Sequence, residues 1–455
     1  MRSSGRRPFL WIALALITIL GAGCATYGAG VQPMLDRLQA GDPQGALAHL
    51  EKRPREGDAL YQLERGMLLR LAGRFRESNA AFDAADRITE DLYTRSVSRQ
   101  TVALAVTDRL APYRPAVYER LLTHQYQARN YLDIADLAGA LVEARRMEAL
   151  LDQFEDARGD RSRPYGSELA YLTSAVIYEA GGQPEDALRM YRRLAARPQE
   201  SVLPAWAETR MRRLARQTGF DLSHGGGADS SATRSAAEDS STFTVVLFID
   251  RGLVPLRQEA RLDVPILKSE EHDKPETIAP KIGERIGGIR AHELDFSGAE
   301  IAYWLAIALP FYSAAPPDPG PIRIDAEGVG VDATRTADIF GMAACALEDD
   351  MPGIVLRTVL RALIKYGAQH AAEKHGGELG GILANMLGAA TEQAETRAWA
   401  TLPRDIVMIA LDLPRPVRSV QLTPRGSDGL EGAQAIPLVF PAGSRFAFAS
   451  RRIWP

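Results

Sequence analysis

Between residues 112 and 146 the chain concentrates side chains that can hold a ligand or move a proton. Pro112-Tyr113-Arg114 and Tyr118-Glu119-Arg120 are followed by His124, Tyr126 and Asn130-Tyr131, then by Glu143-Ala144-Arg145-Arg146. Arg120 and His124 are four residues apart, so a helix places them on one face. The simpler account is a set of inter-helix ion pairs fixing an irregular junction. The sharper one is a polar, ligand-gripping groove, with Glu119, Arg120, His124, Glu143 and Arg145 as its candidate residues. An enzyme would need several buried ionisable groups in one pocket, and His124 with Glu119 and Glu143 is the set that could supply them. A second cluster, Arg357, Arg361 and Lys365, recurs every four residues and drifts only about 40° per step, which makes a basic stripe on one helix. It either faces carboxylates such as Glu392 and Glu395 on a neighbouring helix or receives an anionic ligand or acidic partner.

Other catalytic signatures are missing from the sequence. There is no Gly-rich phosphate loop and no Gly-x-Ser-x-Gly elbow. His370, Glu373 and His375 suggest a metal, yet the two histidines lie about 140° apart on a helix. No metal and no cofactor is expected. The net charge of −4 falls by three, to −7, once Arg2, Arg6 and Arg7 are set aside, which argues against nucleic acid as a partner. Of the two cysteines, Cys345 sits in an apolar-rich run and reads as a small buried hydrophobe.

Cys24 has a different chemistry. A basic start is followed by an apolar run from Phe9 to Leu20 and by Gly21-Ala22-Gly23-Cys24, the plan of an export signal. The run is shorter than the roughly 20 residues a bilayer span needs. This resembles a bacterial lipobox, with Leu20 one place further from the cysteine than usual. The resemblance implies a lipidated Cys24 and, with Ala25 next, an outer-membrane anchor on the periplasmic face. More than one acyl chain makes such an anchor stable.

The elements that must position these groups fall into two halves. From Met34 to about Arg216 the chain is rich in Ala, Leu, Arg and Glu, with apolar residues at helical spacing. Gly41 and Gly73 each precede a small residue, Ala46 and Ser78, by five positions. One unit runs from Tyr61 to Glu90. A second uses Tyr171, Ala175, Tyr178, Gly182, Ala187, Tyr191 and Leu194, and a weaker third uses Ala128, Tyr131, Ala140, Ala144 and Met147. These positions resemble the tetratricopeptide repeat, in which helical hairpins stack because none can bury its apolar face alone. The resemblance implies a groove for a peptide or a partner helix.

Residues 218–241 are Gly/Ser-rich and read as a flexible linker. Beyond them come strands at Thr242 to Ile249, Val254 to Leu262, Tyr303 to Phe311 and Ile322 to Val331, with Gly328-Val329-Gly330 read as a bend between strands. Helices are expected at Thr336 to Leu347, Ile354 to Glu373 and Leu379 to Ala398, then strands at Ile406 to Leu413, Val417 to Leu422, Ile436 to Phe440 and Arg445 to Arg451. The expected organisation is a signal over 1–23, a tetratricopeptide-like helical domain over 24–217, a linker over 218–241 and an α+β domain with antiparallel strands over 242–455. The two domains are expected to fold independently.

Tyr118-Glu119-Arg120, Ala140-Leu141-Val142-Glu143-Ala144-Arg145-Arg146, Leu309-Pro310-x-Tyr312, Arg357-x3-Arg361-x3-Lys365 and Glu395-Thr396-Arg397-x-Trp399-x-Thr401-Leu402-Pro403 occur in this order. The combination resembles a family of tetratricopeptide-bearing bacterial outer-membrane lipoproteins of uncharacterised function. Glu395 stands where that family tends to have aspartate. The resemblance implies a part in cell-envelope assembly or secretion and a protein or peptide partner in the envelope, and it brings no activity. The expectation is a non-enzymatic scaffold or adaptor, with a periplasmic hydrolase-like enzyme as the alternative.

Overall fold

The computed structural model describes residues 27–94, 111–158, 167–197, 203–222, 242–267, 301–361 and 393–454, apart from 314, 327, 415 and 425–433. Cys24, Lys365, the His370–His375 group and most of the expected linker lie outside them. Helices fill the first half: α1 Tyr27–Gln39, α2 Pro43–Leu50, α3 Ala59–Leu71, α4 Phe75–Thr94, α5 Val117–Asp133, α6 Leu137–Arg158, α7 Ser167–Ala180, α8 Pro184–Ala195 and α9 Ala205–Thr218. Each packs on the next.

Four of the turns share one hydrogen-bonding pattern. Gly41, Gly73, Ala135 and Gly182 have φ of 78°, 75°, 60° and 69°. In each turn the following N–H (Asp42, Arg74, Asp136, Gln183) bonds back five residues, to Arg37, Leu69, Tyr131 and Tyr178, at 2.8–2.9 Å. That is the 6→1 bond of a Schellman cap. Five positions after each left-handed residue stands a small, fully buried one: Ala46, Ser78, Ala140 or Ala187. Close approach explains the small residues. A Cβ at Gly66 would lie 2.5 Å from the Phe82 ring, which fills the space between α3 and α4.

The second half is built on a central sheet of order β10–β1–β7–β6, with β1 Phe243–Arg251, β6 Ala337–Asp338, β7 Asp405–Leu413 and β10 Phe446–Ile453. β1 is antiparallel to β7 and parallel to β10. A second sheet, wholly antiparallel, has the order β5–β4–β8–β9, from Val329–Ala333, Ile322–Ala326, Ser419–Pro424 and Gln434–Pro437. A ribbon pairs β2 Gln258–Leu267 with β3 Ile301–Phe311. Side-chain alternation along β1 assigns its two faces. Val245, Leu247 and Ile249 share a core with Ile322, Ile324 and Leu422 of the second sheet. Val246 and Phe248 share one with Tyr126, Ala128 and Tyr171 of the helices. The central sheet is therefore buried on both faces, which is why β1 reads as an unbroken apolar run.

Several expectations are corrected. The halves expected to fold independently share a continuous apolar core, so the helical layer and the central sheet pack as one body. Ile322 to Val331 is two strands and not one, and the bend expected at Gly328-Val329-Gly330 is where Gly328 takes φ 87° and turns the chain into a hairpin. One helix, α10, runs through residues 339–361, so Pro352 does not divide it. Residues 393–399 are extended and not the end of a helix. Their backbone N–H groups instead reach acceptors on other elements, as described below. Cys345 is half-buried.

A left-handed alanine is strained where its three counterparts are glycine. Ala135→Gly should therefore stabilise the chain by about 1 kcal/mol, less the extra freedom that glycine gives the unfolded chain. Urea unfolding should show a raised midpoint with an unchanged slope.

Candidate functional site

Helix α5 is the spine of the site, and its successive faces carry different chemistry. Glu119 and His124 are five residues apart and so point about 140° away from each other. The expected grouping of Glu119 with His124 and Glu143 in one pocket does not form. Two separate arrangements exist instead.

Glu119 faces the C-terminal half. Its carboxylate accepts from the Tyr113 hydroxyl at 2.7 and 2.8 Å, the Ala116 N–H at 2.8 Å and the Trp399 N–H at 3.3 Å. Ala116 has no side-chain oxygen, so only the reach-back half of a capping box is present. Burial raises the Glu119 pKa above the usual carboxylate range, against the pull of these donors and of Arg257. Arg257 is itself anchored through the Tyr312 hydroxyl at 3.0 Å and the Arg397 carbonyl at 3.3 Å.

A parallel arrangement lies one hairpin earlier. Glu64, 2% exposed, accepts from the Ala400 N–H at 2.6 Å, the Thr401 N–H at 3.2 Å and the Tyr27 hydroxyl at 3.2 Å. Burial pushes its pKa up to about 7, and the donors limit the rise. Two helix-borne carboxylates thus take the backbone donors of Trp399, Ala400 and Thr401 in the non-helical segment 393–404. Trp399 from that segment meets Phe82 and Tyr126 edge-on at 5.8 and 6.2 Å. Arg397 donates to Glu395 at 2.8 Å and to the Ala111 carbonyl at 2.8 Å.

His124 faces the neighbouring hairpins. Nδ1 lies 2.8 Å from the Glu143 carboxylate and Nε2 3.7 Å from Asp86. Burial pulls the imidazole pKa down, but the two carboxylates outweigh it and raise it to about 9. That shift favours the imidazolium at neutral pH, with Nδ1 on Glu143 and Nε2 facing Asp86. Arg146 adds a bond to Glu143 at 3.2 Å. Arg120, one turn before His124, lies instead between the rings of Tyr93 and Phe154, 5.1 and 5.4 Å from their centroids. Arg145 is exposed.

The basic stripe is not an exposed face at Arg361, which is 3% exposed and donates to the Thr358 hydroxyl at 3.2 Å. Arg357 is half-buried. The carboxylates expected opposite do not form a facing helix: Glu395 lies in the extended segment, bonded to Arg397, and Glu392 is outside the described residues.

Sequence reasoning missed Glu64, Arg129, Asp250, Arg210 and Asp412. Arg129 pairs with Asp250 at 2.9 Å, and Arg210 pairs with Glu179 at 2.9 Å and Asp412 at 2.7 Å. The only signal was a charge at an apolar-face position, such as Arg129 beside Ala128, or Asp250 ending the apolar run of β1. No group of three or more potential metal ligands occurs among the described residues. The chain matches no protein-family model, no curated protein and no solved structure.

The pH dependence follows from the raised imidazole pKa. A raised folded-state pKa stabilises fully below the ordinary value of 6.5 and is lost as pH rises through about 9. The shift is worth on the order of 3 kcal/mol. Wild-type stability should fall between pH 6.5 and 9 relative to His124→Gln, which lacks the proton, when both are unfolded in urea across that range. Parallel curves would show that His124 does not carry the charge.

Proposed function

We propose that this chain is a lipid-anchored, non-enzymatic adaptor of the bacterial envelope. In this reading it is held at Cys24 on the periplasmic face of the outer membrane, and its tetratricopeptide-like hairpins engage a protein or peptide partner in envelope assembly or secretion. The observation that carries the reading is the state of the buried ionisable groups. His124 is held between Glu143 and Asp86, and Glu119 and Glu64 are filled by backbone and tyrosine donors, so these groups brace the fold. Four hairpins closed by the same turn support a stacked, repeat-type surface. No helix among the described residues is long and apolar enough to cross a membrane, and a lipid at Cys24 would supply the attachment.

Cells labelled with palmitate should yield a labelled, membrane-associated wild type and an unlabelled, released Cys24→Ser form. Equal labelling of both forms overturns the anchor. In-cell cross-linking followed by mass spectrometry should recover a discrete envelope protein from the wild type. Recovery of no discrete envelope protein would overturn the adaptor role.

A further inference from the structure

Among the described residues of the helical half four arginines are buried: Arg70, Arg120, Arg129 and Arg210. Three of them are neutralised within the chain, Arg70 by Asp133 at 2.8 Å, Arg129 by Asp250 and Arg210 by Glu179 and Asp412. Arg120 is the exception. It is 7% exposed, its buried Nε has no hydrogen-bond partner, and among the described residues its guanidinium makes no ion pair. What holds it is aromatic: the rings of Tyr93 from α4 and Phe154 from α6, on either side of α5. Burying a cation without a counter-charge is costly, and cation–π contacts of about 0.5–2 kcal/mol offset only part of that.

The surroundings make the site a prepared one. Tyr93 is 45% exposed, yet its hydroxyl is fixed on the Pro115 carbonyl at 3.2 Å, so one wall of the site borders solvent while staying oriented. Asp86, the acid whose ionisation responds to Arg120, pairs with His124 at 3.7 Å and makes no ion pair with the guanidinium. Positive charge nearby comes from Arg114 and from the His124 imidazolium, and negative charge from Asp86 and Glu143. Arg146, on Glu143, adds positive charge and Asp350 adds negative charge, but none of these carboxylates pairs with the guanidinium, which leaves its donors to be matched.

We propose that Arg120, clamped between Tyr93 and Phe154, is a receptor for one carboxylate of a partner protein. A planar guanidinium that rests on two rings and makes no ion pair keeps its N–H donors for a planar, singly charged acceptor, the bidentate geometry that arginine makes with carboxylates. A dianionic phosphate would bring a second negative charge beside the carboxylates of Asp86 and Glu143, which are already paired with His124. The carboxylate can come from an acidic side chain or from a chain terminus. The proposal rests on the adaptor reading for its biological meaning, while its binding chemistry is measurable on the purified chain alone.

The full chain is titrated by calorimetry with four probes: the blocked tetrapeptide Ac-Ala-Ala-Glu-Ala-NH2, its Gln counterpart, the free-acid peptide Ac-Ala-Ala-Ala-Ala-OH, and inorganic phosphate. Binding of the Glu peptide and not of the Gln peptide is expected. The free-acid peptide tells whether a terminal carboxylate serves as well. Arg120→Met should weaken binding by about tenfold or more, and Arg120→Lys, which lacks the fork, should not restore it. Because an unmatched charge has been removed, Arg120→Met without ligand should melt at or above the wild-type temperature. If Arg120→Met does not fold, Tyr93→Leu decides, since it opens one wall at a partly exposed position and should weaken the Glu peptide severalfold. Unchanged affinity in the variant that folds overturns the proposal, as does binding of phosphate in place of the peptides. A lowered melting temperature for Arg120→Met, with no peptide bound by the wild type, would show a structural brace. Failure here with a cross-linked partner still recovered in cells leaves the adaptor reading standing and removes only this contact.

Discussion

The buried pair of Arg129 and Asp250 sets the relation between the two halves. Arg129 is 1% and Asp250 2% exposed, 2.9 Å apart at the seam between α5 and β1. The guanidinium lies against Tyr126 at 4.9 Å and Phe248 at 5.0 Å, one ring from each half. Desolvating two charges costs several kcal/mol per ion, and only good geometry with further bonds recovers it. The pair is therefore poor evidence for extra stability and good evidence for register. If α5 slid one turn along β1, two buried charges would be left unmatched, whereas an apolar seam would accept the slide. Trp399, Tyr126 and Phe82 can interlock only because that register is fixed.

The same logic governs the non-helical segment 393–404. A non-helical strip buried between a sheet and a helical layer presents backbone donors that no ladder satisfies. Glu64 and Glu119, from successive hairpins, take the N–H groups of Ala400, Thr401 and Trp399, and the Trp399 indole donates to the Thr401 hydroxyl at 3.0 Å. These carboxylates differ from surface charges in kind. Exposed ion pairs such as Arg212–Glu208 contribute about 0–1 kcal/mol, whereas removing a buried acceptor strands donors that water cannot reach.

How much of this was legible in the sequence depends on whether the signal was local. The helical hairpins were, because each turn needs a left-handed residue and a small residue five positions later, and Gly41, Gly73 and Gly182 announce it. Ala135 hid the third turn, which is why that unit looked weaker. The strands of the central sheet were legible as apolar runs, but the second partner of a two-sided sheet is not a sequence-local fact. The seam was therefore missed and the halves were read as separate. Residues 393–399 failed for the opposite reason. Ala394, Ala398 and Ala400 favour helix, and the tertiary pull of Glu64 and Glu119 on the backbone donors overrides that preference. At the site, four-residue spacing correctly put Arg120 and His124 on one helix face. It could not show that Glu143 and Asp86 take the imidazole and leave the guanidinium to two rings.

The seam also bears on how an anchored body could work. Tyr27 opens α1 three residues after Cys24, and its hydroxyl donates to Glu64, which in turn holds Ala400 and Thr401. Three residues of chain span at most about 11 Å. A lipid on Cys24 would hold the start of α1 near the bilayer surface, and through Glu64 it would hold the non-helical segment and the central sheet there too. An adaptor on a long flexible tether samples a wide volume and binds whatever it meets, at low effective concentration. One tethered this closely, with both halves sharing a core, presents a fixed face. On the adaptor reading proposed above, a partner would come to it at the membrane, where a single charged contact would gain from the restricted geometry what it lacks in intrinsic strength.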